Sequence, residues 1–387
     1  MNKRILLKLL YLLQPVAFGS WLPRIPDVKL ALELGAAELA VSLMGLPVGI
    51  VLVLPIATLL LGKIGNRATI TIGFLVMLFF MPLVVGSVSQ TMLFLTLCAV
   101  GATNTLLLLA LNVDAARIER VEHISILNTC HGFGSVGLML GSFFGSLLAS
   151  LSLAPVWAVG LMVTAILPLV LALIHLLPAA TTNHKDDTPA QNRVSVIPSW
   201  PLLSICLFAF GIAMTEGAIA DWSAVYLVDR FSADGGAAGV GFTVFAAAVA
   251  LGRFMGDAIK TRLGTVATAR LFGVFALAGF TLVIGSSTMH WVFIGFAVLG
   301  FGVSVGYPLA VSSASVLTGS GLRPERNVAT LTFVALLGFL AGPLLIGFIA
   351  EFWGIRIGLV VLLPMLVMSL VLATGLGRNS LPKSQQL

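Results

Sequence analysis

Displaced by 201 residues, the chain lies on itself: Trp21 falls on Trp222, Gly35-Ala36-Ala37 on Gly236-Ala237-Ala238, Gly101 on Gly302, and Gly137 and Gly141 on Gly338 and Gly342. A single offset held from Trp21 to Gly141 means that the second half repeats the first in the same order and with nearly the same connection lengths. The fold therefore has to be one that accepts two copies of a single element set, run in parallel.

Composition says what repeats. Hydrophobic residues are 59% of the 387 and charged residues 9%, where a soluble domain carries about 25% charged. A helix needs about 20 apolar residues to cross a hydrocarbon core of about 30 Å. Twelve stretches qualify, beginning near residues 4, 37, 69, 92, 124, 155, 200, 238, 266, 290, 327 and 356, and they are called helices 1 to 12 in that order. Backbone in lipid must satisfy its own hydrogen bonds, and these runs are too long and too apolar for barrel strands. The expected fold is an all-α integral membrane protein: a six-helix half over 1–178, a polar linker over 179–198 reading AATTNHKDDTPAQNRVSVIP, and a second six-helix half over 199–387.

The net charge of +6 belongs to topology rather than to nucleic acid. With the N-terminus inside, Lys3, Arg4, Lys8, Lys63, Arg67, Arg117, Arg120, Lys185, Arg193, Lys260, Arg262, Arg270, Arg323, Arg326, Arg378 and Lys383 fall on the cytoplasmic side. Arg24, Lys29, Arg230 and Arg356 fall outside, and Arg253 lies within a span. That asymmetry predicts two cytoplasmic termini. The apolar run after Arg4 lacks a small-residue cleavage site and is needed by the repeat, so it reads as helix 1 and not as a secretory signal. Cys98, Cys130 and Cys206 are odd in number and without CxxC spacing, which predicts neither a disulfide framework nor a metal site. No GxxxxGK[ST] phosphate loop occurs, and no nucleophile and base stand at workable spacing, so neither a cofactor nor an enzymatic activity is expected.

Several motifs carry a family resemblance. They are Gly19-Ser20-Trp21-Leu22-Pro23-Arg24, Ala110-Leu111-Asn112-Val113-Asp114 with Glu119-Arg120, His131-Gly132-Phe133-Gly134-Ser135, Glu216 to Trp222, Gly252-Arg253-Phe254-Met255-Gly256-Asp257, Gly306-Tyr307-Pro308, and Gly342-Pro343 to Gly347. On these the chain resembles the major facilitator superfamily over essentially its whole length, and more narrowly a bacterial YbjJ-type branch related to fucose permease. The resemblance implies a rocker-switch transporter with a central cavity lined mainly by helices 1, 4, 7 and 10. It also implies a cytoplasmic seam. The signature after helix 2 reads Gly62-Lys63-Ile64-Gly65-Asn66-Arg67, with an amide where the family places a carboxylate, and its partial equivalent after helix 8 keeps Arg253, Asp257 and Arg262. Asn66 is left able to cap the following helix but not to form the charge pair. Relatives often carry an acidic residue in helix 4 where this chain has Leu108, so coupling would have to run elsewhere.

The remaining polar residues in the spans are few, and a charge at mid-membrane costs about 2.5 to 3.5 kcal/mol on insertion scales. Glu216 stands about 24 Å along helix 7 at 1.5 Å per residue, where a carboxyl taken out of water is either a proton carrier or a structural group tied to a neighbouring helix. Asp221 lies further out and maps through the repeat to Ser20, close to Arg24. Arg24 and Asp221 are therefore expected either as an outer gate pair or with Arg24 in the headgroup region. His131 and Asn112 share a depth, as a structural pair or as solute ligands and a proton relay. Arg253 and Asp257 are one turn apart on helix 8 and read as a local pair. Tyr307-Pro308 predicts an interruption of helix 10, with a freed carbonyl serving as hinge or as acceptor for solute. Trp21 and Trp222 are the aromatic pair available for stacking at the outer cavity. The glycine rows at 137, 141 and 145, at 252 and 256, and at 338 and 342 serve either close packing or a sliding seam in which helices 5 and 8 meet helices 11 and 2.

The sequence thus points to a secondary transporter of the bacterial inner membrane that moves a small polar organic solute, with protons, by alternating access. The proton-coupling candidates are Glu216, Asp221 and His131, and the solute-cavity candidates are Asn112, His131, Glu216, Trp21, Trp222 and Tyr307. The partners expected are the solute, protons and the bilayer, with a monomeric chain and no nucleic acid. A proton-driven efflux antiporter for amphipathic compounds is the alternative, and a membrane receptor the remote one.

Overall fold

The computed structural model describes residues 3–122, 124, 126–177, 199–317 and 324–377. The linker expected at 179–198, and with it Lys185 and Arg193, lies outside the described residues, as do Arg323, Arg378 and Lys383. Among the described residues twelve helical spans are long and apolar enough to cross a membrane. Helices 1 to 6 are Lys3–Ala31, Ala36–Val53, Asn66–Val85, Gln90–Glu122, Thr129–Ser150 and Pro155–His175. Helices 7 to 12 are Trp200–Phe231, Gly235–Leu263, Thr265–Gly285, Met289–Ser315, Arg326–Trp353 and Ile355–Gly377. The protein is an all-helical membrane protein, as the repeat and composition predict.

Proline chemistry explains where two of the spans are broken. Pro47 has no N–H for the Leu43 carbonyl, and helix 2 divides there into Ala36–Leu43 and Gly45–Val53, followed by a separate helix at Ala57–Ile64. Pro308 likewise has none for Ser304, and helix 10 divides into Met289–Val303 and Gly306–Ser315. The interruption expected at Tyr307-Pro308 is found one turn earlier, at the residue whose carbonyl the proline leaves free. Pro15, Pro82, Pro168 and Pro343 lie inside continuous helices.

The turn into helix 3 corrects one expectation. Gly65, at φ 86°, takes the position before the helix, and Asn66 is its first residue with a buried Oδ1 that has no hydrogen-bond partner. Asn66 does not cap helix 3, because the turn needs a left-handed residue that only glycine adopts without strain. Gly264, at φ 79°, does the same before helix 9.

Contacts group the chain into two compact units: Met1–Pro189 with Asp221–Ala246, and Ala190–Ala220 with Ala247–Leu387. In the first, helix 5 lies directly on helix 1. A methyl on Gly137, Gly141 or Gly145 would run into the backbone of Leu12, Val16 or Ser20. The start of helix 8 packs on the far end of helix 5, with Gly236 against Ser150 and Gly239 against Ser146. In the second unit Gly338 and Gly342 of helix 11 receive the Phe210 and Met214 carbonyls of helix 7, and Gly252 and Gly256 receive Ser304 and Val305 at the break in helix 10. The glycine rows are thus filled from within each unit. The rows of helices 5 and 11 take up the backbone of helices 1 and 7, and the row of helix 8 takes up the side chains at the break in helix 10, so in each the close-packing reading of the glycines is the one seen.

Candidate functional site

Helix 1 presents one polar stripe in an otherwise apolar run: Arg4, Lys8, Tyr11 and Gln14, at steps of four, three and three, which keeps them on one face. Each finds a partner across the first unit. Arg4 is ion-paired with Glu122 at the end of helix 4. Lys8 Nζ stands 5.9 Å from the centre of the Phe133 ring on helix 5. The Tyr11 hydroxyl donates to Asn112 Oδ1, and the Gln14 amide donates to Asn104 Oδ1, both on helix 4. The His131 ring meets Tyr11 edge-on, with centroids 5.4 Å apart and planes at 72°. Tyr11 is therefore the side chain that joins Asn112 to His131.

Tyr11 is buried at 1% exposure, whereas Gln14, Asn104 and Asn112 are half-buried and His131 is exposed. Polar side chains within membrane spans face the protein interior or a water-filled cavity. Beyond Arg4 and Lys8, three amides, a phenol and an imidazole offer hydrogen-bond donors and acceptors, which suits a polar solute. Sequence reasoning finds Asn112 and His131 and misses Tyr11, Gln14 and Asn104. The four-three-three spacing on helix 1 is the available signal, masked because Arg4 and Lys8 count there only as topology charges.

The second unit holds the acidic member. Glu216 on helix 7 faces Arg253 on helix 8, with Nη2 3.5 Å from Oε1 and the two side chains 19% and 27% exposed. Arg253 Nε donates to the Ser304 carbonyl at 3.4 Å, and the Tyr307 hydroxyl lies 3.2 Å from Thr332 Oγ1 on helix 11. Thr332 is the repeat equivalent of His131, so each of these two positions has a tyrosine beside it. Arg253, expected beside Asp257, thus reaches across to Glu216, while Asp257 and Arg262 are exposed. In the first unit Gly62 is exposed and Arg67 half-buried.

Arg24 and Asp221 are not brought together as an ion pair. Arg24, 3% exposed, holds Asp27 one turn on at 3.0 Å through Nη1 and donates from Nη2 to the Leu153 carbonyl at 2.7 Å. A carboxylate three residues away and a carbonyl in the turn after helix 5 engage two of its nitrogens locally, while the buried Nε has no hydrogen-bond partner. The contact between helices 1 and 7 is made instead by Lys29 and Asp229, 3.4 Å apart. Trp21 and Trp222 are 1% and 0% exposed, so neither indole presents a face to a solute in this structure.

The family model of the Major Facilitator Superfamily matches residues 9–325. The chain belongs to the major facilitator superfamily. This superfamily chain is 29% identical over 352 residues to an MFS-type transporter of Yersinia pestis, covering 90% of this chain and 89% of that one. Among solved structures it is similar to a mutant form of the nucleoside transporter NupG, with TM-score 0.77 and 14% identity over 97% of this chain and 99% of that one. It is also similar to a mutant form of the E. coli fucose:proton symporter FucP, with TM-score 0.61 and 19% identity over 97% and 98%. Membership of this superfamily makes the protein a transporter and not an enzyme.

Proposed function

We propose that this superfamily member is a proton-coupled symporter. It carries a small uncharged polar solute, of the sugar or nucleoside kind, across the bacterial inner membrane by alternating access. Both termini are cytoplasmic and the monomer is the working unit. The observation that carries the reading is the polar group of Tyr11, Gln14, Asn104, Asn112 and His131, set in apolar helices of one unit, together with the carboxylate of Glu216 in a span of the other. Amides and a phenol recognise hydroxyls, and a carboxylate within a span is a group able to carry a proton. The fold neighbours, a nucleoside transporter and a fucose:proton symporter, support the solute class.

The test is a ligand screen by thermal shift on the purified protein with sugars, nucleosides and amino acids at two pH values, followed by uptake into proteoliposomes. One neutral polyhydroxylated class is expected to stabilise the wild type and to lose that effect in Asn112→Ala, and an inward proton gradient is expected to drive its accumulation. Stabilisation by amphipathic cations alone, or accumulation indifferent to the gradient, would overturn the reading.

A further inference from the structure

We propose that Arg253 is the positioning residue through which the charge on Glu216 acts on the break in helix 10. The inference rests on the proton-coupled reading above and adds the route by which a proton would alter the fold.

The geometry is contained in the second unit. Ser304 lies four residues before Pro308, so its carbonyl has no helical N–H to accept, and this is the carbonyl to which Arg253 Nε donates at 3.4 Å. The same guanidinium holds Glu216 at 3.5 Å through Nη2. Gly252 and Gly256 flank Arg253, and a side chain at either would strike Ser304 or Val305, so helix 8 presses against the broken segment on both sides of the arginine. One planar group therefore ties helix 7 to the place where helix 10 comes apart. A guanidinium can do this because its donors are spread over a fork, which an ammonium lacks.

The hold on Glu216 is loose. Oε1 is buried and accepts no hydrogen bond, and 3.5 Å, like the 3.4 Å to the Ser304 carbonyl, lies beyond the usual N–H···O range of about 2.7 to 3.2 Å, so both contacts are long ones. Opposite charge draws the pair together. Within the unit Arg253 is the charged side chain acting on Glu216. Phe339 of helix 11 covers the adjacent Gly217, the Tyr307 hydroxyl of helix 10 is engaged with Thr332, and helix 12 approaches helix 7 at Gly211 through Met365 and Ser369. Asp257, one turn from Arg253 on its own helix, is exposed, and Lys260 Nζ donates to Ser312 at 3.0 Å. When Glu216 takes a proton its carboxylate charge is lost, and the guanidinium keeps the Ser304 carbonyl without its hold on helix 7. The break before Gly306–Ser315 then loses its tie to helix 7 through Arg253, while Gly306 stays packed on Ile212 of that helix.

A cysteine at Val311, half-buried on the segment Gly306–Ser315, reports the loss of that tie in a full-length chain carrying Cys98→Ala, Cys130→Ala and Cys206→Ala. Its thiol-labelling rate in membranes should change at least about fivefold between low and high pH, the lower end of ordinary coupling strengths. Glu216→Gln should fix the rate at the low-pH level at every pH. Arg253→Gln should flatten the profile although Glu216 remains. Arg253→Lys, which keeps the charge and so remains folded if the glutamine variant does not, should flatten it too, since one ammonium cannot span both acceptors. A wild-type profile in Arg253→Lys, or in Glu216→Gln, overturns the proposal. The two readings fail separately. Labelling that switches normally while a proton gradient drives no uptake removes the symport reading and leaves the Arg253 link, whereas proton-driven uptake with an unchanged Arg253→Lys profile does the reverse.

Discussion

Glu119 closes helix 4 and does its work on helix 5. Its Oε1 accepts from the backbone N–H groups of Ile126 and Leu127 at 2.7 and 2.9 Å, two of the donors that the start of helix 5 cannot satisfy internally. Glu119→Ala should lower stability by about 1 to 2 kcal/mol, read as a lower melting temperature in detergent, and Glu119→Gln should recover most of it because the amide oxygen still accepts. At Tyr11 the expected outcome is different in kind. Tyr11→Phe removes the donor to Asn112, costs about 1 kcal/mol of stability, and should weaken solute binding more than it weakens the fold, as a comparison of melting temperature with ligand titration would show. Much at this scale was legible. Glu216, His131 and Asn112 stood out as polar residues in apolar runs, whereas Tyr11 and Gln14 were missed although their spacing with Arg4 and Lys8 carried the signal. The Glu216 to Arg253 contact was not legible, because the local alternative, Asp257 one turn away, is what helix periodicity offers, and only tertiary approach decides between them.

At the scale of the element, the glycines and prolines of this chain act on neighbouring helices. Gly141→Leu should separate helix 1 from helix 5, because the added side chain meets the Val16 carbonyl and a backbone atom cannot turn aside. A loss of about 1 to 3 kcal/mol is expected, with poor yield of folded protein on size-exclusion chromatography, while Gly160→Leu, where nothing stands within 4 Å, should be close to neutral. Pro308→Ala restores the N–H that Ser304 lacks, so helix 10 should run continuous, melting should rise, and the turnover measured in proteoliposomes should fall as the break is lost. Helix starts were read to within a few residues, since the change in hydropathy marks them. The division of helix 2 near Met44 and the separate helix at Ala57–Ile64 were not read, although Pro47 and Pro55 carried the signal.

For the whole molecule the contact to test is Lys29 with Asp229, whose side chains are 23% and 37% exposed. Such a pair is worth about 0 to 1 kcal/mol to stability. Its expected effect is on access: Lys29→Glu or Asp229→Lys should raise labelling of a cysteine at Ser150 with little change in melting, and the double reversal should restore the wild-type rate. The 201-residue repeat made the number, order and direction of the helices legible. It could not show that Asp221–Ala246 packs with the first six helices, because a repeat gives the succession of elements and not the surfaces they choose.

That choice has a consequence in time. Ser142, fully buried on helix 5, is covered by Thr243, whose hydroxyl lies 2.8 Å from its own, and Ser146 is covered by Gly239. The ribosome completes helix 6 about 70 residues before it reaches Thr243, roughly 4 to 14 s at ordinary rates of synthesis. For those seconds a groove lined with hydroxyls waits in the bilayer for a lid that has not been made. A nascent chain stalled at the linker would present that groove to the proteases that clear unfinished membrane proteins.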